Sequence, residues 1–292
     1  MSHKAGFVSI IGKPNAGKST LMNALIGEKL SIITPKAQTT RHRIMGIISG
    51  EDFQVVFNDT PGIIEPQYGL HKSMMKFVDE SLESSDVIVL IVEVAEKELP
   101  EEVTKRLQNV KVPLILALNK VDVLKQEEVE EKINYWRDKF KFTSIVPLSA
   151  LNKFNTKQLM EEIKALLPES PAYYPKEQLT DKPERFFAAE MIREKIFFRY
   201  KKEIPYSTEV IIEEFKEEGD LLRIHAVIMV ERDSQKGILI GEKGVALKNT
   251  GMAARKELEN FFGHKVFLKM FVKVKEKWRD NKSMLKELGY DD

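Results

Sequence analysis

Along the first 167 residues, short apolar runs alternate with longer amphipathic segments. The runs at residues 87–92 and 114–118 contain no polar position, which is typical of strands covered on both faces of a parallel sheet. The predicted strands are residues 7–11, 44–48, 54–58, 87–94, 114–118 and 144–148, and the predicted helices are residues 19–26, 71–82, 101–110, 126–139 and 157–167. This alternation predicts a three-layer α/β domain with a mostly parallel sheet.

A second pattern of apolar positions begins after residue 183. Its predicted elements are a helix at 186–200, strands at 207–214 and 221–231, an apolar turn at 237–240, a helix at 245–262, a strand at 265–275 and a helical tail at 278–288. The two strands are joined by the sequence E-E-G-D, which indicates a hairpin. The order α-β-β-α-α-β predicts a smaller α+β domain.

The stretch between the two patterns has no periodicity. Residues 168–183 contain four prolines, which indicates a semi-rigid linker. We therefore predict one domain at residues 1–170, a linker at 171–183 and a second domain at 184–292.

Charge is distributed unevenly along the chain. The net charge of the 292 residues is +1, yet the segment from Arg232 to Lys286 carries 14 Lys and Arg against 6 Asp and Glu. A local basic surplus is the electrostatic signature of a polyanionic partner. The absence of cysteine excludes disulfides, and the apolar runs are too short to span a bilayer. With no room for a signal peptide before the first strand, we expect a cytoplasmic protein.

The most specific motif is G-K-P-N-A-G-K-S-T at residues 12–20. It follows the first predicted strand and opens a helix, as the phosphate-binding loop pattern G-x-x-x-x-G-K-[ST] requires. The two glycines allow the loop to curl around phosphates, Lys18 would reach the β- and γ-phosphates, and the Ser19 hydroxyl would bind Mg²⁺. The residues predicted to contact the nucleotide here are Gly12, Asn15, Ala16, Gly17, Lys18, Ser19 and Thr20.

Three further motifs follow the carboxyl ends of predicted strands, where ligands of such sheets bind. After residues 54–58 comes D-T-P-G, in which Asp59 would hold Mg²⁺ and Gly62 would bring a backbone N–H to the γ-phosphate. After residues 114–118 comes N-K-V-D, in which Asp122 would accept two hydrogen bonds from guanine, Asn119 would brace the loop and Lys120 would cover the ring. The third motif is Ser149, Ala150 and Leu151, where the Ala150 N–H would reach the guanine carbonyl.

These four motifs resemble those of the small GTPases, and the form of residues 12–20 with Q-T-T-R at 38–41 is similar to the Era-like bacterial branch. The resemblance implies that Thr40 closes on Mg²⁺ and the γ-phosphate, with Thr39 the less favoured candidate. Ile63 stands where Ras-like enzymes carry a Gln that orients water, so we expect slow intrinsic hydrolysis. In related GTPases the residue matching Asn15 holds K⁺; here that role and simple bracing of the loop both stay open.

In the second domain, G-E-K-G at residues 241–244 lies between two predicted helices. This arrangement resembles a type II KH domain, whose glycine pair clamps four nucleotides of single-stranded RNA. The predicted RNA-binding residues are Gly237, Ile240, Gly241, Glu242, Lys243, Gly244 and Lys248. On the last strand, Lys265, Phe267, Lys269, Phe271 and Lys273 share one face. An edge strand guarded by lysines is the favoured interpretation of that face, and a second RNA surface is the alternative.

Together, these resemblances imply a Mg²⁺-dependent GTPase that binds GTP and GDP, contacts the 3′ end of small-subunit (16S) ribosomal RNA and assists assembly and maturation of the 30S subunit. We expect a monomer, with a peripheral contact to the inner face of the cell membrane left open. The alternatives are an RNA-binding module that senses but barely hydrolyses GTP, and a membrane-associated GTPase. An ATPase motor is disfavoured, because adenine offers Asp122 no matching pair of donors.

The role of Asp122 can be tested by substitution. Asp122→Asn replaces two acceptors with one acceptor and one donor, so guanine should bind at least tenfold more weakly and xanthine nucleotides should gain. Competition binding with GDP and XDP measures this change. Unchanged GDP affinity would show that the base lies elsewhere.

Overall fold

The computed structural model describes residues 3–290, which form two compact units. The first unit runs to Asp181 apart from Tyr68–Leu70, and the second comprises Tyr68–Leu70 and the chain from Lys182 onward. The domain limits drawn from the sequence, at 170 and 184, stay predictions of how the functions divide.

The first unit is built on a six-stranded sheet with the order β2-β3-β1-β4-β5-β6. All of its neighbouring pairs are parallel except β2 with β3. Its strands are β1 (Lys4–Ile11), β2 (Ile44–Ser49), β3 (Phe53–Asp59), β4 (Val87–Glu93), β5 (Leu114–Asn119) and β6 (Ser144–Leu148). Every residue of β5 and all but the last of β4 are buried, which confirms the prediction of strands covered on both faces.

Five helices accompany this sheet in the described chain. They are α1 (Lys18–Ile26), α2 (Gly69–Glu83), α3 (Glu101–Leu107), α4 (Gln126–Lys139) and α5 (Thr156–Leu166). Since β1, β3, β4, β5 and β6 run parallel, their carboxyl ends meet at one edge of the sheet. The loops after four of these ends carry the four sequence motifs. The predicted fold class, a three-layer α/β domain with a mostly parallel sheet, is confirmed for this unit.

The stretch interpreted as a linker follows the sheet of the first unit. The backbone N–H groups of Tyr173 and Tyr174 both donate to the side-chain oxygen of buried Gln54, at 2.8 and 3.0 Å. The carbonyl of Leu179 accepts a hydrogen bond from the Ile47 N–H at 2.8 Å. These hydrogen bonds fix residues 173–179 on the β2–β3 edge.

The second unit packs helices on one face of a three-stranded sheet with the order β7-β8-β9. The β7–β8 pair is antiparallel and the β8–β9 pair is parallel, so β9 forms an edge. Its elements are α6 (Glu184–Arg199), α7 (Ile204–Ser207), β7 (Glu209–Glu218), β8 (Leu221–Val230), α8 (Asp233–Ile240), α9 (Val245–Phe262), β9 (Lys265–Val274) and α10 (Lys282–Glu287). The predicted order of elements is confirmed.

One element differs from its predicted form. The apolar turn expected at residues 237–240 is the last part of helix α8, which begins at Asp233. Its start is stabilised by buried Gln235, whose side-chain oxygen accepts from the N–H groups of Glu231 and Arg232 at 2.9 and 3.1 Å. The first four residues of α8 are polar, D-S-Q-K, and therefore carry no apolar period.

Among residues 3–290, no helix combines the length and the apolar character needed to cross a membrane.

Candidate nucleotide site and nucleic-acid interface

The loop between β1 and α1 depends on glycine at two positions. Gly12 and Gly17 have φ angles of 151° and 105°, in the region that disfavours a side chain. A Cβ on Gly12 would lie 2.4 Å from the carbonyl oxygen of Ile91, and one on Gly17 would lie 2.3 Å from Asn119 Nδ2. The glycines therefore bring this loop against the ends of β4 and β5.

Lys18 lies inside the curl of the loop. Its side chain is buried, and its Nζ donates to the carbonyl oxygens of Gly12 and Lys13 at 3.2 and 2.7 Å. Burial lowers the pKa of Lys18 to about 8, against the opposing attraction of the Asp59 carboxylate. A cation held in this way can stabilise phosphate charge without first being desolvated.

Oxygen ligands suited to Mg²⁺ converge beside Lys18. The hydroxyls of Ser19 and Thr40 lie 2.8 Å apart. Asp59 is fully buried, and within residues 3–290 neither of its carboxylate oxygens has a hydrogen bond of normal geometry. Burial raises the pKa of Asp59, while the nearby Ser19 hydroxyl and the Lys18 charge oppose that shift. An unsatisfied buried carboxylate beside two hydroxyls fits a hard cation that takes its remaining ligands from phosphate.

Thr39 and Thr40 lie in the loop between α1 and β2, residues 27–43, which we call the first switch, and the structure distinguishes the two. Thr39 bonds within its own loop, to the Thr34 hydroxyl at 2.6 Å and the Lys36 carbonyl at 2.7 Å. Thr40 instead faces Ser19. The structure thus places Thr40, the threonine that the resemblance favours, beside Ser19.

Asn119 connects three of the four motifs. Its Nδ2 donates to the carbonyl of Ala16 at 2.8 Å, and its Oδ1 accepts the N–H of Ala150 at 3.0 Å. In the structure the Ala150 N–H, which we expected at the guanine carbonyl, is thus held by Asn119. Asn119 was expected to brace the loop, and the groups that it holds are the Ala16 carbonyl and the Ala150 N–H.

At the other end of the site, Asp122 is exposed in a short 3₁₀ turn. Lys120, at φ 65°, forms an ion pair with Glu93 at 2.5 Å. A second carboxylate three residues further on, Glu96 in the β4–α3 loop, pairs with Lys13 at 2.6 Å. The sequence analysis missed both glutamates, although Glu93 ends a buried strand at the edge where ligands bind.

The remaining predicted nucleotide residues differ in their surroundings. A Cβ on Gly62 would lie 2.7 Å from the backbone nitrogen of Pro14, so this glycine allows close contact with the phosphate loop. Ser149 is buried and accepts the N–H of Asn152 at 3.2 Å. Thr20 is half-buried within α1, and Leu151 is 78% exposed.

The structure shows the surroundings of Ile63, which stands where Ras-like enzymes carry a glutamine, and of Asn15, the candidate K⁺ ligand. Ile63 is buried, and its N–H donates to the Gly12 carbonyl at 3.0 Å, so neither its side chain nor its N–H is available to a water. Asn15 is exposed at φ 64°, and its Nδ2 donates to the Pro35 carbonyl at 3.1 Å. Asn15 thus joins the phosphate loop to the first switch.

In the second unit, the G-E-K-G loop has the left-handed backbone that its glycines permit. Gly241, Lys243 and Gly244 have φ angles of 70°, 49° and 78°. A Cβ on Gly241 would lie 2.6 Å from Ala246 Cβ, whereas one on Gly244 would meet nothing within 4 Å. Glu242, Lys243 and the α9 residue Lys248 are exposed. The loop thus leaves open space in front of the α9 N-terminus.

The other two predicted RNA residues lie on α8. Gly237 is exposed there, and Ile240, the last residue of the helix, is half-buried.

A groove continues from this loop between α9 and β9. It is lined by Gly244, Leu247, Lys248, Gly251, Met252, Arg255, Leu268 and Met270. A Cβ on Gly251 would lie 2.8 Å from Met270 Cε, so glycine sets how closely helix and strand approach. Sequence reasoning found only Gly244 and Lys248 of this set. The spacing of Leu247, Gly251 and Arg255 at every fourth position was a usable signal.

Comparison with known proteins places the chain in a family. Residues 7–120 match the family described as 50S ribosome-binding GTPase, and residues 203–279 match the KH domain. The chain is 47% identical to GTPase Era of Geotalea daltonii over 290 residues, covering 98% of each chain. It belongs to the Era family of GTPases.

Further relatives support this placement in the Era family. Era of Geobacter metallireducens is 46% identical over 98% of each chain. A variant of Aquifex aeolicus Era bound to GDP and AlF₄⁻ superimposes with a TM-score of 0.94 at 39% identity, over 99% of this chain and 100% of that one. Era bound to MgGDPNP and nucleotides 1506–1542 of 16S ribosomal RNA superimposes equally well, at 38% identity and the same coverage. The predicted α/β domain followed by a KH domain is thereby confirmed.

The lowered pKa of Lys18 predicts how nucleotide affinity depends on pH. Bound phosphates favour the charged amine and raise its pKa, so binding is undiminished below about pH 8 and weakens as the free protein loses that proton. GDP affinity should fall about fourfold between pH 7 and 8.5. Titration with a fluorescent GDP analogue measures this, with circular dichroism confirming that the fold persists. A flat profile would contradict the assignment.

Proposed function

We propose that the protein is a GTP-hydrolysing switch that binds the 3′ end of 16S ribosomal RNA and assists assembly of the 30S subunit. The observation that carries the nucleotide part is the convergence of Ser19, Thr40 and unsatisfied Asp59 beside buried Lys18. The RNA part rests on the G-E-K-G loop and its groove, together with the solved relative that holds nucleotides 1506–1542 of 16S ribosomal RNA.

The site residues have distinct roles in this proposal. Ser19, Thr40 and Asp59 hold Mg²⁺, which supplies positive charge to the β- and γ-phosphates. Lys18 adds a fixed charge at the same phosphates, and the N–H groups of residues 15–20 line the loop. Asp122 selects guanine, while Asn119 keeps the phosphate loop and the 149–151 loop in place. Thr40 lies in a loop of the kind that the γ-phosphate and Mg²⁺ order in GTPases. Its contact with Ser19 corresponds to the closed form of that loop.

Hydrolysis proceeds without a glutamine beside the D-x-x-G motif. Ile63 is buried and cannot orient water, so stabilisation of transition-state charge must come from elsewhere. Asn15 Nδ2 donates to the Pro35 carbonyl at 3.1 Å, so the Asn15 side chain, whose amide also carries an oxygen, lies beside a carbonyl oxygen, and K⁺ accepts oxygens of both kinds as ligands. We therefore assign Asn15 to a K⁺ site that adds charge at the phosphates.

The two units divide the work. Residues 1–170 bind and hydrolyse the nucleotide, residues 184–292 bind RNA, and residues 171–183 connect them. The α9–β9 groove offers apolar walls from Leu247, Leu268 and Met270 for bases, with Lys248 and Arg255 for phosphates. The protein acts as a monomer in the cytoplasm, where ribosomal subunits are assembled. A peripheral membrane contact has no specific support among the described residues.

The K⁺ assignment predicts a cation-dependent rate. Wild-type protein should hydrolyse GTP roughly a hundredfold faster in K⁺ than in Na⁺, because one preorganised group that stabilises transition-state charge changes a rate by on the order of 10². Asn15→Ala should remove the difference while GDP affinity changes little. Phosphate release at saturating GTP measures both. Equal wild-type rates in the two salts would refute the K⁺ site and leave the GTPase assignment intact.

The RNA assignment predicts that two negative charges in the G-E-K-G loop block binding. Glu242→Asp with Lys243→Asp keeps both glycines and should weaken binding of an unpaired 16S 3′-end RNA at least tenfold, since anions would face phosphates. Lys216→Asp with Glu217→Asp in the β7–β8 hairpin changes charge equally and serves as the control. Fluorescence anisotropy measures RNA affinity, and GTP turnover should be normal in both variants. Unaltered RNA affinity in the loop variant would place the clamp elsewhere.

A further inference from the structure

The outer face of β9 carries two exposed aromatic rings. Phe267 and Phe271 are 44% and 43% exposed, and they point away from the side on which α8 and α9 pack. They are four residues apart on one strand, which separates them by about 13 Å. Single exposed apolar residues need no explanation. Two exposed rings on one edge strand are a liability, because such an edge favours aggregation.

Each ring has one cationic side chain beside it, and Phe267 also contacts a histidine. The Arg223 guanidinium lies 4.9 Å from the centroid of Phe267, and His225 meets the same ring edge-on at 6.3 Å. The Lys269 amine lies 4.9 Å from the centroid of Phe271. Guanidinium planes and aromatic rings are the groups on which unpaired bases stack.

Carboxylates of β7 pair with some of the cations on this face, including Arg223 with Glu218 at 3.0 Å, but not with every lysine of β9. Strand β7 supplies carboxylates that pair with their neighbours, Glu213 with Lys273 and Glu214 with His225, both within 2.9 Å. Within residues 3–290, neither Lys265 nor Lys269 has a carboxylate at ion-pair distance. Lysines that only guard an edge would explain this charge but not the two rings beside it.

The outer face is continuous with the α9–β9 groove. Because side chains alternate along β9, Leu268 and Met270 line the groove while their neighbours Phe267, Lys269 and Phe271 occupy the opposite face. A hollow at the end of α9 is lined by Arg255, His264, Lys265 and Phe267 among others. Arg255 also lines the groove, so the two surfaces share a wall.

We propose that single-stranded RNA leaving the groove continues past Arg255 and onto a strip formed by Lys265, Phe267, Lys269 and Phe271. Bases stack on the two rings and phosphates pair with the two lysines. The strip extends the contact beyond the four nucleotides that a KH loop clamps. This inference rests on the proposed RNA binding in the groove, and it assigns to the strip a separate, length-dependent share of the affinity.

The test compares two RNAs on the full-length protein. One is an unpaired RNA of four nucleotides, the length of the loop clamp, and the other extends it on both sides to about twelve nucleotides. Wild-type protein should bind the longer RNA more tightly. Phe267→Ser with Phe271→Ser should weaken the longer RNA roughly tenfold or more and leave the short one unchanged. Phe198→Ser removes an exposed ring on α6, outside the strip, and should change neither affinity.

A second pair of variants separates stacking from misfolding. Phe267→Tyr with Phe271→Tyr preserves the ring faces and should keep wild-type affinity for both RNAs. Lys265→Gln with Lys269→Gln should reduce the slope of log affinity against log salt by about 1.4 for the longer RNA alone. Unfolding temperature and GTP turnover, measured for every variant, report the fold.

The outcomes distinguish this inference from the proposed function. If the serine variant binds the longer RNA as wild type does, or loses both RNAs equally, the strip is not an RNA extension site and groove binding stands. A protein-docking role for the strip would appear as the first of these outcomes. If wild-type protein binds neither RNA, the proposed RNA function fails together with the strip.

Discussion

The side-chain amide of Asn119 holds three loops that are distant in sequence. It donates to Ala16 in the phosphate loop and accepts from Ala150 after β6, while Gly17 leaves it the space to do so. All of these groups are buried, so loss of the amide would leave a carbonyl and an N–H unsatisfied, at a cost of about 1–3 kcal/mol each. The geometry of the nucleotide site therefore depends on the carboxyl ends of β1, β5 and β6 meeting at the same edge of the parallel sheet.

Buried charge gives this site its dependence on ligand. Lys18 and Asp59 are both withdrawn from water. Burial lowers the pKa of Lys18 and raises that of Asp59, so in both residues it favours the neutral form of the side chain. Phosphate and a divalent cation restore the partners that these groups lack, so binding relieves a cost already present in the protein. The contact between Thr40 and Ser19 ties the first switch to the same centre. A loop whose Thr40 hydroxyl meets Ser19 at the phosphate and metal site can respond to the loss of one phosphate.

The second unit uses an edge strand in two ways. One face of β9 closes a groove with α9, where Gly251 sets the spacing between helix and strand. The other face presents two rings and three lysines, on the sheet edge opposite to β7. Part of the local surplus of basic residues thus lies on this edge, where it can attract a polyanion.

The sequence by itself determined the order of elements and the four nucleotide motifs, because both depend on local patterns. Apolar runs define buried strands, and fixed glycine spacing defines the phosphate loop and the G-E-K-G loop. Tertiary structure decided which threonine meets Ser19, because Thr39 is held by its own loop. It also decided that Glu93 pairs with Lys120, that Asn119 holds the Ala150 N–H, that residues 173–179 follow the β2–β3 edge, and which α9 residues face the groove. Each of these depends on contacts between residues far apart in the chain, which no local pattern encodes.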